Sequence, residues 1–162
     1  MKRYKKDVDP WDIATSSPQS DRSVILQYHG EVRFGPAYYL LWVQVDGEYV
    51  GPGETEVYGN KIFWAVDGSY IALERRFSLM TPDNGLLIVD LKTSQQCLLD
   101  RFGSGFLDSI TWQHDEDRSG CTVIYRTVYY RQDNVPEQIV SEVSIDSIVT
   151  WDPILWLNVF GS

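Results

Sequence analysis

The chain has 162 residues, 43% hydrophobic and 14% aromatic, enough apolar material for one domain with a packed core and too much for a disordered chain. Its formal charge is −9, and four of its 14 basic residues (Lys2, Arg3, Lys5 and Lys6) precede every acidic one, so the body beyond them carries −13. Such a body repels nucleic-acid phosphates and anionic membranes, which excludes both as expected partners, and it speeds encounter with cationic ones.

The opening "MKRYKKDVDPWDIATSS" is basic but has no apolar stretch behind it, so no export signal is read and a cytoplasmic location is expected. Residues 1–22 are polar and contain Pro10 and Pro18; they are expected to form a loosely ordered arm leading into a single β domain over 23–162. "SVILQYHGEV" from Ser23 reads as a first strand. "AYYLLWVQV" reads as a second, apolar on both faces and therefore covered on both, with Asp46-Gly47 turning it into "EYV".

"GPGETEVYGN" (51–60) reads as a loop. "KIFWAV" and "SYIALERRF" flank Asp67-Gly68, a strong hairpin signal, and "LLIVDL" and "CLLDRF" follow as short strands. "GSGFLDS" is a loop, "ITW" restarts a strand, "QHDEDRSG" is an acidic turn, and "CTVIYRTVYYR" is a long strand rich in β-branched and aromatic residues. "EQIVSEVSI" fits a strand or a short helix. The expected class is all-β, built of antiparallel meanders.

"FWAVDGSYIALERR" together with "DNGLLIVDLKTSQQCLL" (residues 63–99) resembles one blade of the Tol-type and WD-repeat β-propellers, through Trp64, Asp67, Gly68, Ile71, Ala72, Ile88, Asp90, Leu91 and Thr93. Ala65-Val66 stands where those blades have Ser-Pro. Weaker echoes at Ser17-Pro18 with Asp21, and at "ITWQHDEDRSGCTVIYR", give three units of about 45 residues. A propeller closes with roughly four to eight blades. The chain therefore either assembles with copies of itself or folds its meanders into a sandwich or open barrel; the second is favoured, because a blade motif is only a hairpin plus a strand.

Catalytic machinery is not legible. His29 and His114 are the only histidines, and "HDED" from His114 has the spacing of a solvated turn, without the alternating ligands of a calcium loop. Ser104 in "FGSGF" has no P-loop lysine after it, and no nucleophile elbow, zinc cluster or dinucleotide fingerprint occurs. Cys97 and Cys121 are expected as reduced core thiols. No catalytic residue, metal ligand or cofactor is assigned, and the chain is expected not to be an enzyme.

Acid placed beside aromatics stands out instead. Asp46, Glu48, Tyr49, Glu54, Glu56 and Tyr58 share one stretch without a base; Asp115, Glu116 and Asp117 form a second cluster; from Gln132 onward there are five acids and no Lys or Arg. The first two groups are the candidate partner-binding residues: aromatics anchor interfaces and carboxylates steer a basic partner. In general character (small, single-domain, acidic, aromatic-rich, without catalytic motifs) the chain is similar to bacterial immunity proteins. That resemblance implies an inhibitor that covers the active site of a basic toxin or effector, acting as a monomer or small homo-oligomer. The alternative is a propeller-like scaffold or ligand-binding module that self-associates through its sheet edges.

Overall fold

The computed structural model describes residues 2–3, 10–18, 22–31, 37–51, 57–114, 120–130, 133 and 135–154. In chain order the strands are β1 (Lys2–Arg3), β2 (Ile13–Ser16), β3 (Ser23–Glu31), β4 (Ala37–Val45), β5 (Glu48–Gly51), β6 (Val57–Trp64) and β7 (Tyr70–Arg76). They continue with β8 (Asn84–Asp90), β9 (Gln95–Gly103), β10 (Phe106–His114), β11 (Cys121–Tyr130), β12 (Pro136–Ser144) and β13 (Asp152–Pro153). A single 3-10 turn, Ile145–Ser147, is the only helical element among the described residues, so "EQIVSEVSI" resolves as strand almost to its end. The class is all-β, antiparallel and single-domain, as expected.

Two strands that are apolar on both faces set the middle of the molecule. Side chains alternate along a strand, so Ile71 and Leu73 of β7 and Leu87 and Val89 of β8 enter one core, while Ala72, Leu86 and Ile88 enter another. The first core is completed by Val24, Leu26, Tyr39, Leu41, Val43 and Tyr58 from β3, β4 and β6, with Ile154. The second is completed by Phe102, Leu107, Cys121, Val123, Tyr125 and Ile145, most of them on β10 and β11. The two faces of β7 and β8 thus belong to different cores, and the continuous run "LLIV" is that of a strand buried on both sides.

Hydrogen bonding groups the strands into two sheets. A ten-stranded sheet runs β1-β5-β4-β6-β7-β8-β9-β13, with β3 on the other edge of β4 and β2 beyond it; β10-β11-β12 form a separate three-stranded sheet. Among the described residues neither sheet closes into a barrel. The segment resembling a blade becomes the four-strand meander β6 to β9, and β6 touches β4 through one pair, Tyr39 opposite Tyr58. The hairpin at its start is held by Asp67, whose carboxylate accepts both the backbone N–H (3.0 Å) and the hydroxyl (2.6 Å) of Ser69. Burial works to raise the pKa of Asp67, but those two bonds outweigh it and hold the carboxyl below its ordinary value.

Three sequence expectations change. Residues 13–16 of the expected loose arm form β2, because Ile13 finds the apolar first core and Thr15 accepts the Trp64 indole N–H at 3.2 Å. Val57–Asn60, expected in a loop, belong to β6. Phe106–Ser109, also expected in a loop, open β10, since Leu107 packs into the second core. The sheets are tied across by Trp112 donating to the Phe63 carbonyl at 3.1 Å and by the Tyr125 hydroxyl donating to Asp100 at 3.0 Å. Neither cysteine is in a disulfide; Cys121 is buried and Cys97 half-buried.

Candidate binding surface

Of the predicted residues, Asp46, Glu48, Tyr49 and Tyr58 are described. Asp46 and Gly47 take left-handed backbone angles (φ 50° and 82°), as a two-residue hairpin between Val45 and Glu48 requires, and this exposes the carboxylates of Asp46 and Glu48 together at its tip. Tyr49 is half-buried behind them. Tyr58 is a correction: at 1% exposure it is one of the largest fully buried side chains and belongs to the first core, so it cannot anchor a partner. Glu54, Glu56, Asp115, Glu116 and Asp117 lie outside the described residues.

A second feature was not legible. β6 and β7 lose register between Tyr58 and Ile62: Tyr58 faces Arg75 and Ile62 faces Leu73, leaving 59–61 as a bulge opposite Glu74 alone. Gly59 belongs there because a β-carbon would sit 3.1 Å from Glu74 Oε1 and 3.4 Å from an Arg76 terminal nitrogen. Beneath it lies a buried ion pair, Arg76 to Glu74 at 3.3 Å, with side chains only 8% and 11% exposed. Arg76 also donates to Asn84 Oδ1 (3.1 Å), Asn84 donates to the Gly105 carbonyl (3.0 Å), and Glu74 Oε2 accepts the Leu107 backbone N–H (2.9 Å). Asn60, Lys61, Glu74, Arg76, Phe106 and Leu107 line a cleft of about 330 Å³ at this point. Both Glu74 oxygens are engaged, so the carboxylate works as a clasp between β7 and the start of β10.

The third feature is the outer face of the three-stranded sheet. Register places Cys121, Val123, Tyr125 and Thr127 toward the core, so Ile124, Arg126, Val128 and Tyr130 of β11 face outward, flanked by Phe106 on β10 and by Val140 and Glu142 on β12. This face is mixed: Phe106, Ile124, Val128, Tyr130 and Val140 lie on it among Ser109, Thr111, Gln113, Arg126, Gln138 and Glu142, and no described strand covers it. Tyr130 is 67% exposed, Val140 61% and Phe106 37%, and the Phe106 and Tyr130 rings meet edge to face at 6.4 Å. Arg126 is engaged by Asp108 at 3.8 Å. Phe106 also lines the cleft, so face and cleft are continuous. The sequence signal for this surface was present in "RTVYYR" and in the base-free acidic C-terminal part, yet sequence alone does not say which side of β11 faces solvent.

Among the described residues no group of three or more His, Cys, Asp or Glu side chains converges to hold a metal ion, and no helix is long and apolar enough to cross a membrane. Ser104 lies in the tight turn from β9 to β10, where the Gly105 N–H bonds to the Phe102 carbonyl at 2.9 Å. Comparison of the chain with protein-family models, with curated proteins and with solved structures returns no match.

Proposed function

We propose that this chain is a non-enzymatic binding protein of the cytoplasm that captures a cationic protein, as an immunity-type inhibitor does when it covers the active site of a basic toxin or effector. The observation that carries this reading is the outer face of β10–β12, where Phe106, Tyr130 and Val140 stand exposed beside Glu142. Large exposed apolar side chains rimmed by polar ones mark an interaction site. Aromatic side chains there supply the anchors, and a body carrying −13 outside the first six residues supplies the steering field. The acidic hairpin tip at Asp46 and Glu48, on the ten-stranded sheet, adds to the field.

The reading is tested by capture from lysate of the source cells on immobilised protein, with wild type beside Tyr130→Ser/Val140→Ser. A basic protein retained by wild type and lost from the variant, with an association rate that falls as salt rises, supports it. Retention unchanged by the two substitutions, or an association rate indifferent to salt, contradicts it.

A further inference from the structure

We infer that the cleft beside the β6 bulge is a binding site for a small monocarboxylate with an apolar body. The site is independent of protein capture by the outer face, which it borders at Phe106. The bulge shapes the recess. β6 and β7 are in register at Tyr58 with Arg75 and again at Ile62 with Leu73, so residues 59–61 stand against Glu74 alone, and Asn60 and Lys61 lie exposed on the cleft wall. Bulges re-aim side chains in this way beside functional sites. At about 330 Å³ the cleft is at the small end of ligand sites, which run from roughly 300 to 1,000 Å³.

Charge selects an anion. Lys61 and Arg76 against Glu74 leave the lining at +1, in a chain whose total is −9. The acid is fully engaged: Glu74 Oε1 faces Arg76 at 3.3 Å, and Oε2 accepts the Leu107 N–H at 2.9 Å. The cations are not. Arg76 offers one terminal nitrogen to Asn84 and the other to Glu74, but its Nε–H is buried and meets no acceptor. A buried donor in that position is destabilising until an oxygen reaches it. Among the described residues no carboxylate pairs with Lys61. Asn84 and Glu74 hold the guanidinium in one place, so its unused donors are pre-organised. Nε lies out of solvent contact, and a ligand oxygen meets it once Asn60 or Lys61, both exposed, gives way.

Charge count and shape then fix the class. A monoanion neutralises the lining, whereas a phosphate dianion leaves an excess negative charge beside the Glu74 carboxylate. A cation finds both Glu74 oxygens already occupied. A planar carboxylate matches a guanidinium edge and an ammonium together. Phe106, 37% exposed, and Leu107 give the rest of the molecule an apolar wall.

The probes are phenylacetate and isovalerate, titrated against the full chain while the Arg76 Nε–H resonance is followed by NMR. Acetate, phenylacetamide and phenyl phosphate are titrated beside them. The inference expects a saturable downfield shift of that resonance with at least one of the two probes, and binding at least roughly tenfold weaker for acetate, which lacks the apolar body. It expects weaker binding of the amide and the phosphate than of phenylacetate, or of isovalerate if phenylacetate does not bind. Lys61→Glu is expected to weaken the acid at least roughly tenfold. Lys92→Glu, the same charge change in the turn at the other end of β8 from Asn84, is expected to leave affinity within about twofold. Both lysines are exposed, and thermal unfolding confirms that the variants fold. No saturable binding of either probe, an unmoved Arg76 Nε–H, an amide or phosphate that binds as well as the acid, or equal losses in the two lysine variants overturns the site. Capture of a cationic protein through Tyr130 and Val140 stands or falls separately from all of these outcomes.

Discussion

Glu74 and Arg76 show how much one polar contact can decide. Both side chains are buried, each has its charge compensated by the other, and the same carboxylate pins the Leu107 N–H at the first turn into β10. Removing one partner strands the other charge in the interior, which costs about 3–5 kcal/mol, whereas replacing both with apolar residues of similar volume is far milder. Glu74→Ala is therefore expected to lower the unfolding free energy by about 3 kcal/mol or more. Glu74→Leu/Arg76→Leu is expected to lose less than the two single losses added together, as a denaturant-melt double-mutant cycle will read. Tyr125 gives a pH signature. Burial, reinforced by its hydrogen bond to Asp100, raises the phenol from 10.0 to about 12. A group whose folded pKa lies above its unfolded value stabilises fully below the unfolded pKa and loses that contribution as pH climbs through the folded one. Wild-type stability is thus expected to fall between pH 10 and about pH 12 relative to Tyr125→Phe. The Phe variant itself is expected to be about 1 kcal/mol less stable near neutrality for want of the bond to Asp100.

At the scale of elements, the strands were largely readable and their irregularities were not. Alternation and Asp-Gly pairs located β3, β4, β5, β7, β8, β9 and β11, because an apolar two-residue period and a left-handed turn are local properties. The bulge at 59–61 escaped, because a strand that gains residues against its neighbour looks like a loop until its partner is known. β2 escaped for a related reason: "IATS" is a strand only by virtue of the edge that β3 offers it. Of the nine candidate binding residues, Tyr58 was misplaced because an aromatic beside acids reads alike whether it caps a loop or fills a core. Glycine 85 shows a constraint that periodicity cannot reveal. A β-carbon there would lie 2.7 Å from the Asp100 carbonyl and 2.9 Å from the Phe77 ring, where β8 and β9 already shift register. The carbonyl belongs to the backbone and cannot swing aside, so Gly85→Ala is expected to destabilise by about 1–3 kcal/mol through overpacking, measurable as a lower midpoint of urea unfolding.

The whole molecule has two sheets with two cores, a negative body, and one sheet whose outer face and one edge are open among the described residues. Core formation accounts for most of the aromatic residues: Trp42, Trp64 and Trp112 donate their indole N–H groups to Gln27 Oε1, Thr15 Oγ1 and the Phe63 carbonyl, and Tyr70 stacks between Trp112 and Trp151. Among the large apolar side chains that packing leaves exposed, which include Trp11, Met80 and Val149, Phe106, Tyr130 and Val140 share the outer face of β10–β12, next to the base-free acidic C-terminal segment. The account stands on that remainder meeting a positively charged protein. Its most direct test is the association rate with the captured cationic protein between low and high salt, for wild type and for Glu137→Lys/Glu142→Lys in parallel. The account predicts a wild-type rate that drops by roughly tenfold or more as salt rises and a charge-reversed rate that is slower at low salt and nearly flat. Identical, salt-insensitive rates for the two proteins would contradict it.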